Sequence, residues 1–130
     1  MKIKTGLFDM DGTLIDSSKA ILSSVKEAAR IVGLRVPREK EIKEIIHLPS
    51  QLSFKVLYPA KDPAKFDSVF LSLMRSKFKP MIKEVPKAKV TLESIREKGI
   101  EIAIVTTKDR ESAEETIRNF HFPYDVLLTA

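Results

Sequence analysis

The hydrophobic positions of the chain fall into two patterns, short continuous runs and helical spacings. The run IKTGLF over residues 3–8 ends in acidic residues, and the run IEIAIV over 100–105 contains a single polar position. Both runs predict buried β-strands, and the second is typical of a strand covered on both faces, as in a parallel sheet. After Pro123, a third run that ends at residue 128 predicts another strand.

Apolar residues at helical spacing occupy most of the chain between these runs. They predict helices over residues 17–32, after Pro37, over 52–57, over 62–78, over 87–98 and after Asp109. Strands that alternate with helices predict right-handed parallel crossovers, and therefore an α/β fold with a doubly wound, Rossmann-like parallel sheet. Four helices are too many for one crossover. Residues 17–80 are therefore predicted to form an inserted helical subdomain between core segments 1–16 and 81–130.

Composition narrows the classes of protein that fit this pattern. The absence of cysteine excludes disulfides, thiolate metal sites and a cysteine nucleophile, so any metal must be held by oxygen or by the two histidines. The net charge of +5 comes from scattered Lys/Glu mixtures, which favours a solvated surface over a nucleic-acid partner. Neither a membrane-spanning run nor a secretory signal is visible, so we expect a cytoplasmic protein without a membrane partner. A single Asn and a single Gln among many Lys and Glu residues are typical of thermophile proteins.

Two acidic residues lie where the first predicted strand ends. Asp9 and Asp11 are followed by Gly12 and Thr13, and ligands of parallel α/β sheets bind at the carboxyl ends of strands. Close carboxylates suit a hard cation such as Mg²⁺, and Gly12 permits a sharp turn whose amide N–H groups face an anion. The alternative is structural, with the two acids only ending a strand and capping a helix. A calcium-binding loop is excluded, because Thr13 and Ala20 stand where its oxygen ligands are required.

Two stretches of the chain resemble signatures of a known family. Residues 9–14, DMDGTL, resemble the first signature of the haloacid dehalogenase-like (HAD) superfamily, DxDGT followed by Leu or Val. Residues 102–108, IAIVTTK, resemble the second signature, an apolar strand that ends in Thr or Ser. The predicted helical insert is similar to the α-helical cap of that family. The likeness extends over the whole chain and is greatest to the phosphoglycolate phosphatase and β-phosphoglucomutase branch.

The resemblance implies a fold and a set of residue roles. It implies a HAD core with an α-helical cap and a Mg²⁺-dependent phosphomonoester hydrolase that acts on a small phosphorylated metabolite. Asp9 would be the nucleophile that forms an aspartyl phosphate, and Asp11 the general acid and base. The phosphoryl group would be bound by the hydroxyl of Thr106 and by backbone N–H groups near Met10, Asp11 and Thr107. Mg²⁺ would be held by the carboxylate of Asp9 and the backbone carbonyl of Asp11.

The sequence departs from that family in its later part. The third signature, a Lys, and the fourth, an acidic pair, have no counterpart, and residues 124–130 resemble the third core strand. The sequence therefore resembles the N-terminal portion of such a phosphatase, apparently truncated after this strand, with an incomplete core. Lys108 is the one residue considered as a stand-in for the missing cation, although family members often carry a Lys there beside the true one.

Two other functions stay open at this stage. One is a folded but catalytically incomplete fragment, which binds phosphate or a partner chain without turnover. The other is a basic nucleic-acid-binding module, which would require salt-dependent binding to DNA. The first strand is also predicted to have a free outer edge, because the strand that pairs with it in the family is missing. We therefore expect homo-association through this exposed first-strand edge.

Overall fold

The chain folds as two compact units. A computed structural model describes residues 2–130; the first unit is formed by the residues up to Asp16 together with Lys83–Ala130, and the second by Ser17–Ile82. The helical subdomain was expected over residues 17–80, and the second unit ends two residues later. Each unit has its own core and is described separately below.

Within residues 2–130, the first unit contains all the strands and two helices. In chain order its elements are β1 (Thr5–Phe8), β2 (Ile15–Asp16), β3 (Lys83–Glu84), α5 (Ala88–Glu97), β4 (Glu101–Val105), α6 (Arg110–Phe120) and β5 (Val126–Leu128). The second unit is entirely helical. Its elements are α1 (Ser18–Val32), α2 (Glu39–Ile45), α3 (Ser50–Leu57), α4 (Ala64–Arg75) and a 3₁₀ turn (Lys79–Met81).

The main sheet is parallel and has the order β1-β4-β5. Its register pairs Phe8 of β1 with Ile104 of β4, and Ile104 with Leu127 of β5. This sheet confirms the predicted α/β fold class. The short antiparallel ribbon of β2 and β3 was not predicted, because two residues per strand are too few to show a hydrophobic period.

The helices of the first unit lie on one face of the main sheet. The steps from β1 to β4 and from β4 to β5 go in the same direction, so right-handed crossovers place α5 and α6 on the same side. The side chains of Ile104 and Leu127 are buried on that side, and buried Leu92 of α5 and Ile117 of α6 supply the helix layer. The core of this unit therefore lies between one face of the sheet and two helices.

The helical unit is organised around a cluster of aromatic side chains. Phe54 of α3 lies 5.1 Å from Tyr58 and 5.0 Å from Phe66 of α4, measured between ring centroids. The apolar stripe of α1 packs against this cluster, and α1 ends at Gly33, whose φ of 75° is the left-handed conformation that glycine adopts without strain. The hydroxyl of Tyr58 donates a hydrogen bond to the backbone carbonyl of Arg35 at 2.6 Å, which satisfies the polar end of this mostly buried ring.

The helix predicted over residues 62–78 is shorter in the structure. It ends at Arg75, and Ser76 leaves the helical conformation with φ −125° and ψ −89°. The hydroxyl of Ser76 donates to the carbonyl of Ser72 at 2.7 Å, a side-chain bond that competes with helix continuation. The 3₁₀ turn Lys79–Met81 then follows, with Pro80 as its second residue. Within residues 2–130, no helix combines the length and the apolar character needed to cross a membrane.

Candidate active site at the carboxyl edge of the parallel sheet

Two loops at the carboxyl edge of the main sheet carry the residues singled out by the sequence. Phe8 and Ile104 form the last register pair of β1 and β4, so Asp9 follows β1 and Thr106 follows β4 at the same edge. The loops meet where Nζ of Lys108 lies 3.4 Å from Oδ1 of Asp11. The structure therefore brings both predicted signatures to one place in the first unit.

The loop after β1 is a tight turn around a buried methionine. The carbonyl of Met10 accepts hydrogen bonds from the N–H groups of Leu14 at 2.9 Å and Ile15 at 3.1 Å. Gly12 has a φ of 82° and donates its N–H to the carbonyl of Ile15 at 2.7 Å, a conformation that other residues adopt only with strain. The side chain of Met10 is completely buried, and this anchors the turn in the core of the first unit.

Anchoring Met10 in the core leaves its two acidic neighbours on the outer side of the turn. Both neighbours of Met10 are more accessible to solvent than Met10 itself. Asp9 is exposed and Asp11 is partly buried. Oδ1 of Asp9 accepts a hydrogen bond from the N–H of Met10 at 2.7 Å, which fixes the orientation of the carboxylate. The Met10 N–H, which was expected to face a phosphoryl oxygen, is bound to Asp9 in this structure.

The loop after β4 places a buried hydroxyl at the same edge. Thr106 is buried, and its N–H donates to the carbonyl of Leu128 at 3.0 Å, which ties the residue to β5. Its Oγ1 accepts a hydrogen bond from the N–H of Lys108 at 3.2 Å. Because a hydroxyl both accepts and donates, the Thr106 O–H is still able to donate to an anion. Thr107, the other predicted phosphate-binding residue, is exposed beside it.

Lys108, the residue that the sequence offers as a stand-in for the missing phosphate-binding cation, lies beside Asp11 in the structure. Its ammonium group contacts the Asp11 carboxylate, and its role as a stand-in stays a prediction. The side chains are 17% and 30% exposed respectively, so the pair is partly shielded from water. The only sequence signal for this contact is the position of Lys108 two residues after Thr106. That position does not identify Asp11 as the partner.

The oxygen donors at this edge fit a hard cation, although they form an incomplete set. The carboxylate of Asp9 and the backbone carbonyl of Asp11 are the ligand types that Mg²⁺ prefers. The carboxylate of Asp11 pairs with Lys108. The backbone carbonyl of Asp11 can therefore serve as a metal ligand while its side chain has another role. In the part of the chain that the structure describes, no group of three or more His, Asp or Glu residues lies close enough to hold a metal. A cation bound here would therefore keep much of its water.

A protein-family model and known sequences match the chain over nearly its full length. The model of the haloacid dehalogenase-like hydrolases matches residues 7–128, which include both loops of the site. The chain belongs to this family. It is 30% identical over 123 residues to pyrophosphatase PpaX of Halalkalibacterium halodurans, covering 92% of this chain and 55% of that protein. It is 31% identical over 116 residues to phosphoglycolate phosphatase of Aquifex aeolicus, covering 85% of this chain and 52% of that protein.

Solved structures of other proteins share the same fold. A haloacid dehalogenase-like family hydrolase from Streptococcus pneumoniae superimposes with a TM-score of 0.84 at 25% identity, covering 98% of this chain and 61% of that one. A hydrolase from Pseudomonas syringae gives a TM-score of 0.83 at 20% identity, covering 97% and 60%. This HAD chain therefore spans about half the length of the curated relatives it matches and about three fifths of these solved chains.

Proposed function

We propose that this HAD chain carries the nucleophile and acid–base site of a Mg²⁺-dependent phosphatase. The reaction is hydrolysis of a small phosphorylated metabolite through an aspartyl phosphate on Asp9. The observation that carries the proposal is the meeting of two loops at one sheet edge, joined by the 3.4 Å contact between Lys108 and Asp11. A nucleophile, a proton carrier and a hydroxyl donor at one sheet edge are the parts that phosphoryl transfer requires.

The first chemical step uses Asp9 as nucleophile. A carboxylate oxygen of Asp9 attacks phosphorus, and the bond from phosphorus to the leaving oxygen breaks with its electron pair. The protonated carboxyl of Asp11 gives its proton to that oxygen, and the product alcohol leaves. Asp9 suits the first role because it is exposed, and its hydrogen bond from the Met10 N–H holds Oδ1 in place.

The second step regenerates the enzyme with water. Asp11, now a carboxylate, accepts a proton from a water molecule whose oxygen attacks phosphorus, and the bond between phosphorus and Asp9 breaks to release inorganic phosphate. While Asp11 pairs with Lys108 it is a hydrogen-bond acceptor. Acting as an acid therefore requires its carboxylate to leave Nζ of Lys108, take up a proton from solvent and turn towards the leaving oxygen.

The remaining groups stabilise charge during both steps. The hydroxyl of Thr106 donates to a phosphoryl oxygen, and the backbone beside Thr107 brings further N–H groups to the same edge. The Asp9 carboxylate and the Asp11 carbonyl would hold Mg²⁺, which would supply charge neutralisation between the carboxylate nucleophile and the phosphate. The relatives named above, a pyrophosphatase and a phosphoglycolate phosphatase, support a small anionic phosphate compound as substrate.

The alternative is a folded chain that binds phosphate, or a partner chain, without turnover. It is favoured by the incomplete oxygen donor set and by the half-length match to the relatives. Both functions use the same loops, so they differ only in whether the bond between phosphorus and the leaving oxygen breaks. They are separated by measuring binding and turnover on the same sample.

Release of inorganic phosphate tests the proposal directly. 2-Phosphoglycolate, pyrophosphate and p-nitrophenyl phosphate are incubated with the chain, with and without Mg²⁺. We expect slow release that requires Mg²⁺ and is lost in Asp9→Asn. The matched control is Asp62→Asn, because Asp62 is exposed in the helical unit and caps the N–H of Ala64 at 3.0 Å, a bond that Asn also makes. Binding of inorganic phosphate without any release from the three compounds would favour the non-catalytic alternative.

A further inference from the structure

The positive charge of the chain lies in the helical unit. Residues 17–82 contain 13 of the 23 Lys and Arg residues but only 6 of the 18 Asp and Glu residues, which gives this unit a net charge of +7. The residues of the first unit carry a net charge of −2. Because opposite charges attract over about 8–10 Å at physiological salt, the helical unit is the part of the chain that anionic surfaces attract.

Two loops of the helical unit meet, and we call the end where they meet the tip. The tip consists of residues 29–38, the last turn of α1 with the loop after it, and residues 54–63, the last turn of α3 with the loop after it. The hydroxyl of Tyr58 donates a hydrogen bond to the carbonyl of Arg35 at 2.6 Å and so joins the two loops. The two loops are therefore neighbours at one end of the unit.

The tip lies at the opposite end of α1 from the two connections to the first unit. The chain enters the helical unit at Ser17 and leaves it at Ile82. Near the exit, Sδ of Met81 accepts a hydrogen bond from the hydroxyl of Ser23 at 3.7 Å, so the exit lies beside the second turn of α1. The last turn of this helix begins about 9 Å further along its axis. Neither connection therefore runs over the tip.

Three branched aliphatic side chains of the tip are exposed to solvent. Ile31 is 55% exposed, Val56 is 54% exposed and Val36 is 37% exposed. Pro59 and Ala60 are exposed as well. Single exposed apolar residues are common on folded proteins, but several at one end of a unit mark a place where another group binds.

The tip and the start of α4 carry lysines without acidic partners. Lys55, Lys61 and Lys65 are exposed, and within the described residues none of them is in an ion pair. Asp62 is the only acidic residue between positions 45 and 66. A lysine has a long apolar stem, so its ammonium group can reach an anion while a neighbouring aliphatic side chain enters an apolar layer.

Aliphatic side chains beside unpaired lysines fit an anionic lipid surface better than other partners. Protein interfaces are depleted in Lys and enriched in aromatic residues. Single-stranded nucleic acid binds by stacking on aromatic rings, whereas the rings of the tip, Phe54 and Tyr58, are buried. A second copy docked here would bring together two units that each carry a charge of +7. An anionic membrane offers both negative headgroups and an apolar layer.

We propose that the tip of the helical unit binds reversibly to an anionic lipid surface. The side chains of Ile31, Val36 and Val56 enter the boundary between headgroups and acyl chains, and Lys55 and Lys61 bind the headgroup anions. This contact needs no spanning helix. It departs from the sequence-based expectation of no membrane partner, which considered spanning segments only. The proposal concerns binding alone, and it stands or falls independently of the phosphatase chemistry.

Sedimentation of the chain with lipid vesicles tests this proposal. Vesicles of phosphatidylcholine with about one third phosphatidylglycerol are compared with vesicles of phosphatidylcholine alone. We expect binding to the anionic vesicles only, and binding that weakens as salt is added. Val56→Glu should weaken it at least about tenfold, because a carboxylate replaces an inserted side chain and repels the headgroups. Val90→Glu is the matched control and should leave binding unchanged, because Val90 is 63% exposed on α5 of the first unit.

A fluorescence readout locates the contact on the chain. The chain has no tryptophan, so Val56→Trp and Val90→Trp each introduce a single indole. We expect anionic vesicles to shift the emission of the indole at position 56 to shorter wavelength and to leave that at position 90 unchanged. The proposal is overturned if the chain does not bind the anionic vesicles, if it binds phosphatidylcholine alone equally well, or if Val56→Glu binds as well as Val90→Glu. An unchanged emission at position 56, or binding to duplex DNA or polyglutamate without binding to vesicles, would overturn it as well.

Discussion

The contact between Lys108 and Asp11 determines where the side chains of the site can lie. Lys108 joins the loop after β4 to the loop after β1, and its N–H also donates to Thr106. One residue therefore contacts the hydroxyl donor through its backbone N–H and the proton carrier through its ammonium group. It also holds Asp11 away from proton donation until the carboxyl turns, so its removal changes the position of Asp11 as well as the charge.

Lys108→Met is expected to weaken binding of inorganic phosphate to the chain about tenfold, because the Asp11 carboxylate that Lys108 pairs with is then uncompensated and repels the anion by about 1.4 kcal/mol. The free energy of unfolding should fall by less than about 1 kcal/mol, because the pair is partly exposed. Phosphate binding is measured by calorimetry and stability by urea unfolding. Lys89→Met, which breaks the 3.6 Å pair with Glu93 on α5, is the control and should leave phosphate binding unchanged. Equal effects of the two substitutions on binding would contradict the assignment.

Glu41 in the helical unit carries a pH dependence that is separate from the site. Hydrogen bonds from the Arg35 guanidinium and the Arg38 N–H lower the pKa of Glu41 from 4.5 to about 2. A carboxyl whose pKa is lower in the folded than in the unfolded state stabilises the fold at pH values above its unfolded-state pKa. For Glu41 this stabilisation is lost as pH falls from about 4.5 towards 2.

Arg35→Met should therefore raise the pKa of Glu41 towards 4.5. The variant should unfold more easily than the parent chain at pH 7, and the difference should shrink as pH falls through that window. Carboxyl NMR titration follows the pKa, and urea unfolding at several pH values follows stability. Arg30→Met, which removes the 3.3 Å pair with Glu27, should leave the Glu41 titration in place. A Glu41 that titrates identically in Arg35→Met would contradict the account.

Among the elements, α3 places the largest fully buried side chain, Phe54, in the core of the helical unit. Phe54 is buried between Tyr58 and Phe66, and its removal leaves a cavity that neighbouring rings fill only in part. Phe54→Ala should lower the free energy of unfolding of this unit by about 3–5 kcal/mol. Leu52→Ala on the same helix is the control and should cost less than about 1 kcal/mol, since Leu52 is half exposed. Urea unfolding followed by circular dichroism separates the two, and similar losses would show that the cluster is not the core.

Self-association through the outer edge of β1, which no strand of the described residues pairs with, remains a prediction. An unpaired strand edge can accept a strand from a second copy, and the exposed Leu7 adds apolar surface beside it. The mass of the chain by light scattering should therefore rise with concentration. Thr5→Lys should reduce the rise by placing a charge on the edge strand, whereas Thr91→Lys on α5 should not. A mass that stays at one copy over the accessible concentration range would contradict the prediction.

For the whole molecule, the hydrophobic pattern was sufficient to predict the helices and strands where a segment is long or buried. The IEIAIV run, the acidic turn after the first strand and the helical spacings predicted the parallel sheet and its helices, because burial imposes these periods. The β2–β3 ribbon and the early end of α4 depend on a few backbone and side-chain hydrogen bonds, which leave no period. The contact of Lys108 with Asp11 depends on how two loops meet in space, and no local pattern encodes it.

The whole chain is expected to turn over phosphate compounds slowly. A Mg²⁺ ion at this edge would be held by one carboxylate and one carbonyl, and the cation nearest the site is paired with Asp11. Absence of one charge-stabilising group typically costs about 10²–10³ in rate. We therefore expect Mg²⁺-dependent phosphate release at least about 10² slower than that of the Aquifex aeolicus phosphatase in a parallel assay. Rates equal to that enzyme, lost in Asp9→Asn, would show that the described site is sufficient.

The central claim, that Asp9 accepts a phosphoryl group, is tested most directly by ¹⁹F NMR with beryllofluoride, an analogue of an aspartyl phosphate. The account predicts a bound signal that requires Mg²⁺, persists in Asp62→Asn and is absent in Asp9→Asn, even if turnover is slow. A bound signal of the same intensity in Asp9→Asn, or no bound signal in the parent chain at saturating Mg²⁺, would contradict it.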